Sequence, residues 1–326
     1  MQADLPQELM KPLDEFRAWD EAIRKESEAS DRVVQPLHHY SDMAALVGMI
    51  QNQELWLTSI FHLNDPSELN HGIQLASDRL DEHLRRKTKN ALNIADLIKD
   101  SFCDGMLDVL EDDIGDAFGF YVASFSRSRD DLAQWRAYAD DGRGVAIEIA
   151  PKWFLPTPPR DDAPITERYF VASVEYDEAR AEKRQTVAVD RAVHIVEQAA
   201  SRNLLDDLAV RRLFLRELQL RLAVPILWNS VTTKHPAYRH EEETRLILLN
   251  SAKALARVVR TRTRGAQIVS YIPIPFPLID EGILQSVMIG PGAIGDPEVG
   301  VENLLSARGV DPTGRVSKSL IPYRPR

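Results

Sequence analysis

One cysteine, Cys103, occurs in 326 residues, which excludes an intrachain disulfide and any cysteine-built zinc cage. Positive charge is also short. The formal net charge is -10, which argues against a dedicated duplex nucleic-acid binder, because counterion release from phosphates needs a basic footprint. A local basic groove stays compatible with that balance. No apolar run approaches bilayer length. Residues 1–8, Met-Gln-Ala-Asp-Leu-Pro-Gln-Glu, have neither a basic nor an apolar leader region. The expectation is a soluble cytoplasmic protein with no membrane partner. Familiar catalytic signatures are missing too. There is no Gly-x-x-x-x-Gly-Lys loop, Gly-x-Gly-x-x-Gly turn, Gly-x-Ser-x-Gly elbow or His-Glu-x-x-His helix. Those gaps weigh against P-loop NTPases, Rossmann dehydrogenases, α/β-hydrolases and zinc proteases.

What is present is ordinary globular composition, 44% hydrophobic and 28% charged. Leu9, Leu13, Phe16 and Ile23 give residues 1–32 a weak helical period, read as an N-terminal helical arm packed on the body or on a partner. A strand at 37–40 leads to a helix with Ser41 as its cap and Met43, Leu46, Val47 and Ile50 on one stripe, then a strand at 54–59. At 64–68, Asp65 suits a helix cap, Pro66 the first turn and Glu68 the closing of a capping box. Helices follow through Leu84 and over 91–112. A strand at 121–126 precedes a short helix capped by Ser128 that carries Leu132, Trp135 and Tyr138, with the two aromatics read as core. Residues 140–144 make a turn, 145–149 and 171–176 strands, and 151–167 a loop. Two helices, breaking near 201–203, form an insertion at about 178–228. Arg260, Arg262 and Arg264 alternate before a strand at 267–272 and share a face that meets either phosphates or water, and 273–277, with three prolines, reads as a stiff connection without regular structure. A strand near 286–290, a helix at 298–307 and a strand at 315–321 complete an α+β domain over 33–326.

The chemistry concentrates at 234–249, where a basic, aromatic, Pro-marked approach meets three glutamates and then an apolar run. A strand there places Glu241, Glu243 and Arg245 on one face and turns Glu242 and Thr244 away. Buried charges need partners. Arg245 therefore pairs with one glutamate, as a charged flank to a hydrophobic strand or as a rigidly held carboxylate site.

An ordered set of corners then stands out: His39-Tyr40, Asn64-Asp65-Pro66-Ser67-Glu68, Phe125-Ser126, Trp135-Arg136-Ala137-Tyr138-Ala139, Arg143-Gly144 and Glu241-Glu242-Glu243-Thr244-Arg245. Over about 36–325 this order resembles the bacterial domain-of-unknown-function family 2971, with Tyr238 where that family often has Trp. The order also resembles the ADP-ribosyltransferase fold, a mixed, split β-sheet that holds NAD as substrate. That resemblance implies an ADP-ribosyltransferase or NAD-cleaving enzyme acting as a toxin, effector or phage-defence component. Its partners would be a protein or nucleic-acid acceptor and an antitoxin.

By the same resemblance His39 and Tyr40 bind a ribose, and Trp56, Thr58 or Ser59 flank the nicotinamide. Glu243 holds the ribose 2′-hydroxyl, and Glu241 orients the acceptor. Arg136, Arg143 or Arg264 grips the pyrophosphate, Arg245 keeps Glu243 ionised, and Asn64 and Ser126 complete the pocket. No metal is expected. No Ser-Thr-Ser run follows the second strand, which departs from the pattern. Two other readings use the same residues. One is a metal-dependent nuclease or hydrolase built on His39, Glu241 and Glu243. The other is a non-catalytic nucleotide sensor with Trp135, Tyr138 and arginines as its pocket.

Overall fold

The computed structural model describes residues 5–30, 32–62, 66–85, 94–154, 164–264, 266–279 and 282–325. The elements run α1 (Gln7–Ser30), β1 (Leu37–Ser41), α2 (Met43–Asn52), β2 (Glu54–Ser59), α3 (Pro66–Arg85) and α4 (Ile94–Asp108). A π-turn leads to α5 (Ile114–Ala117), β3 (Phe118–Ser126), α6 (Leu132–Tyr138), β4 (Val145–Ile149) and β5 (Phe170–Ser173). Then come α7 (Glu178–Ser201), α8 (Leu208–Val231), β6 (Glu243–Ser251), α9 (Ala252–Leu255), β7 (Arg260–Arg264) and β8 (Gln267–Pro275). The chain finishes with β9 (Leu284–Ile289), α10 (Pro297–Ser306) and β10 (Val316–Lys318). The class is α+β, with one mixed sheet of ten strands among the described residues. Asn64 and Asp65 lie outside the described residues, and so does the side chain of Glu68.

The apolar runs of β3 and β6 are explained by burial on both faces. The two strands pair along their whole length, from Phe118↔Ser251 to Ser126↔Glu243. Phe120, Val122 and Ile247 enter a core built with α1, α3, α4, α7 and α8. Tyr121, Ala123, Phe125, Leu246 and Leu248 enter a second core closed by α2 and α10. A strand covered on both sides has no reason to alternate apolar with polar. The arm helix α1 is part of the first core, with Leu9, Leu13 and Phe16 fully buried and Arg221 donating 3.2 Å to the Leu13 carbonyl.

The other edge of β3 is shared. β2 pairs with it at Thr58↔Val122 and Ser59↔Tyr121, and β1 at His38↔Ser126. Neither strand pairs with residues 123–125, so the sheet splits there. An unpaired buried carbonyl needs a donor, and His39 supplies it, from Nδ1 to the Ser124 carbonyl oxygen at 3.0 Å.

Three local expectations change. Asp42, not Ser41, caps α2, accepting from the Ala45 amide at 2.7 Å, because Ser41 is held in the β1–β4 ladder opposite Val145. Asp131, not Ser128, caps α6, accepting from the Gln134 amide at 2.9 Å, while the Ser128 amide donates to Ser126 Oγ at 3.0 Å. Residues 273–275 are strand rather than irregular connection, pairing with β2 at Trp56↔Pro273 and Glu54↔Pro275. The prolines are tolerated because β7 reaches no further than Tyr271 along β8. Their missing N–H groups therefore leave no ladder bond unmade on that side.

Candidate functional site

The site is assembled where α8 hands the chain to β6. Thr233 bridges to Glu175, and the Lys234 amide donates to the Glu175 carbonyl at 3.0 Å, which fixes the start of the passage. His235 then caps a 3-10 turn over Pro236–Glu241, and Glu242 takes a left-handed conformation at φ 44°. Glu241 therefore closes a turn and is not on the strand, because Pro236 starts that turn and the Arg239 carbonyl holds the Glu242 amide at 3.2 Å. β6 begins at Glu243. The grouping of Glu241, Glu243 and Arg245 survives by this different route, with Glu242 exposed.

Four buried charges meet there. Lys234 Nζ donates to Glu241 Oε2 at 2.6 Å and Glu243 Oε2 at 3.3 Å. Arg245 donates to Glu243 through Nε at 2.7 Å and Nη2 at 3.0 Å, and through Nη1 to the Val231 carbonyl at 2.7 Å. Two cations and two anions balance, which lets all four be buried. Burial opposes ionisation of Glu243 most strongly. Arg245, Lys234 and a hydrogen bond from Ser124 overturn it and bring the carboxyl down to about 2. Glu243 is thus a fixed anion. Its amide donates to Tyr176 Oη at 2.9 Å, and burial chiefly pushes that phenol up to about 12.

This cluster forms one wall of a cleft of about 880 Å³ opening at the split in the sheet. Glu241, Glu243, Arg245, His39, Tyr40, Trp56, Thr58, Ser126 and Arg264 of the expected site all line it. His39 packs against Phe125 at 5.4 Å. Burial lowers its pKa, partly offset by the bond to the Ser124 carbonyl. With Nδ1–H committed to that carbonyl, the neutral ring presents Nε2 as an acceptor. Tyr40 accepts from the Asp131 amide at 3.2 Å, donates to the Ser128 carbonyl at 3.0 Å and meets Trp135 edge-on at 4.9 Å. It is a strut for the β3–α6 turn. Ser126 donates to the Glu241 carbonyl at 2.6 Å and is a strut as well.

Three expected residues sit elsewhere. Ser59 is buried beside Tyr121 on β2 and does not line the cleft. Arg143 is paired with Asp140 at 3.0 Å, and Arg136 lies 5.9 Å from the Tyr323 ring. The Arg143-Gly144 motif is explained by folding, since a Cβ on Gly144 would meet the Ser41 carbonyl at 2.2 Å. Lys234 and Arg262 also line the cleft, although the sequence pattern assigns neither to the site. Among the described residues, no group of three His, Cys, Asp or Glu side chains is placed to hold a metal.

A family model described as "Protein of unknown function (DUF2971)" matches residues 134–246. The match spans α6 to the first residues of β6, and so includes Trp135, Lys234, Glu241, Glu243 and Arg245 but not His39, Trp56 or Arg262. No curated protein matches the chain, and no solved structure matches it.

Proposed function

We propose that the cleft binds NAD and cleaves its nicotinamide–ribose bond, transferring ADP-ribose to an acceptor or to water. The observation that carries this is the meeting of three side chains at the split in the sheet. These are His39 on β1, Trp56 on β2 and the fixed carboxylate Glu243 on β6, all lining one cleft. Breaking that bond builds positive charge on the ribose, as in glycoside hydrolysis. A preorganised anion in a water-poor site stabilises such charge. Nicotinamide leaves as a neutral base, so no strong acid is needed. The acceptor nitrogen of His39 suits a ribose hydroxyl, and Trp56, 37% exposed, offers a face for the nicotinamide ring.

A second hollow of about 720 Å³ reaches Glu243 past Arg32, Arg127 and Arg239. In this reading the acceptor, a protein or nucleic acid, approaches there. Toxin, effector or phage-defence roles rest on the resemblance alone. The nuclease reading draws less support, because Glu241 and Glu243 both face Lys234.

The test is calorimetric titration of NAD into the wild type and Glu243→Gln, each first shown to unfold cooperatively. Binding by both, with nicotinamide release reduced about 100- to 1,000-fold in the variant, is the expected outcome. A wild type that does not bind NAD overturns the proposal. Release abolished by a chelator, rather than by the substitution, redirects it to metal-assisted chemistry.

A further inference from the structure

The arginine-rich strand β7 borders the cleft at the end away from Glu243's supporting cluster, and its three arginines have different fates. Arg260 is exposed and lies 3.8 Å from the Glu54 carboxylate. Arg264 donates to the His62 carbonyl at 2.6 Å. Arg262 turns over two rings, 5.2 Å from the Trp56 centroid and 5.8 Å from that of Tyr271, and the rings themselves are 4.5 Å apart. Its Nη2 donates to Thr58 Oγ1 at 3.2 Å.

Among the described residues no carboxylate lies within ion-pair distance of Arg262, and its buried Nε has no hydrogen-bond partner. A half-buried cation with no carboxylate in contact, beside a second cation, is stabilised when an anion joins it. Burial first, then Arg264, lowers its pKa, and the Asp42 carboxylate, which lines the cleft beyond ion-pair distance, only partly offsets them. Held by Thr58 and the two rings, the guanidinium is fixed in the lining of the cleft. Guanidinium forks match the spacing of two phosphate oxygens.

We propose that Arg262 is the phosphate receptor of the cleft, taking oxygens of a phosphate or diphosphate group, with Trp56 and Tyr271 holding the guanidinium in place. Identifying that group as the diphosphate of NAD rests on the function proposed above. The anion site itself rests on Arg262 and its surroundings. Arg136 and Arg143 do not line the cleft, and Arg264 stands beside Arg262 as a second positive charge.

The experiment is calorimetric titration of ADP-ribose, adenosine and inorganic pyrophosphate into the wild type, Arg262→Gln, Arg262→Lys and Arg260→Gln, with melting curves for each. Loss of a charged donor pair predicts ADP-ribose binding weakened roughly 10- to 100-fold in Arg262→Gln. The lysine variant should be intermediate, Arg260→Gln should match the wild type, and any adenosine affinity should be equal in all four. A folded Arg262→Gln that binds ADP-ribose within two-fold of the wild type overturns the assignment. So does a wild type that binds neither ADP-ribose nor pyrophosphate. Arg262-dependent pyrophosphate binding without NAD cleavage upholds the receptor and removes the NAD reading. NAD cleavage with an unchanged KM in Arg262→Gln does the reverse.

Discussion

At the scale of single residues the protein turns on the balanced group Lys234, Glu241, Glu243 and Arg245. Glu243 shifts from its ordinary value of 4.5 to about 2. A depressed carboxyl contributes stability that is complete above the unfolded value and disappears as pH falls through the folded one. Acid unfolding should therefore show a loss of roughly 3 kcal/mol between about pH 4.5 and 2 that depends on Glu243. Glu243→Gln, which leaves two buried cations to one buried carboxylate, Glu241, should lower stability by about 3–5 kcal/mol at neutral pH. Denaturant melts at several pH values check both. A variant whose stability falls with acid as the wild type's does would show that the carboxylate is not held this way.

Glu241, Glu243 and His39 were legible because glutamates entering an apolar run and a histidine at a strand corner are conspicuous. Lys234 was not, because its burial depends on Tyr138 and Tyr238, which the fold brings to its side. Arg262 looked like one of three strand arginines meeting phosphate or water. Only the packing of β2 against β8 sets Trp56 and Tyr271 beneath it.

At the scale of elements, periodicity served well where a helix or strand had one clear environment. The pair α7 and α8 appears where a helical insertion was expected, and β1, β2, β4 and α10 appear within a residue or two of expectation. It failed where partners decide. Pro273 and Pro275 look like breakers until the end of β7 is known, and Ser41 looks like a cap until its ladder with β4 is known. Helix α1 reads from sequence as an arm packed on the body or on a partner, and the first of these is what the structure has, with Leu13 completely buried beside α7 and α8. Leu13→Ala should lower stability by about 2–5 kcal/mol, measured by urea unfolding. A change under 0.5 kcal/mol would mean that the arm is not integral to the core.

At the scale of the whole molecule, a doubly covered β3–β6 pair carries the site, and β1 and β2 diverge along one edge of β3 to open the cleft. The α+β class was legible from the mixture of periods. The sheet order was not, because each of these pairings joins segments tens of residues apart that no local pattern links. With a net charge of -10, the chain repels anions at long range. The cations bordering the two hollows therefore stand out as local exceptions.

The direct measurement counts nicotinamide released per protein molecule in excess NAD, with total protein and RNA offered as acceptors, for the wild type and a folded Glu243→Gln. The expected result is many turnovers by the wild type and near-background release by the variant. Wild-type release no greater than the variant's, under conditions where both are folded, would contradict it and leave the buried charges as a structural clasp.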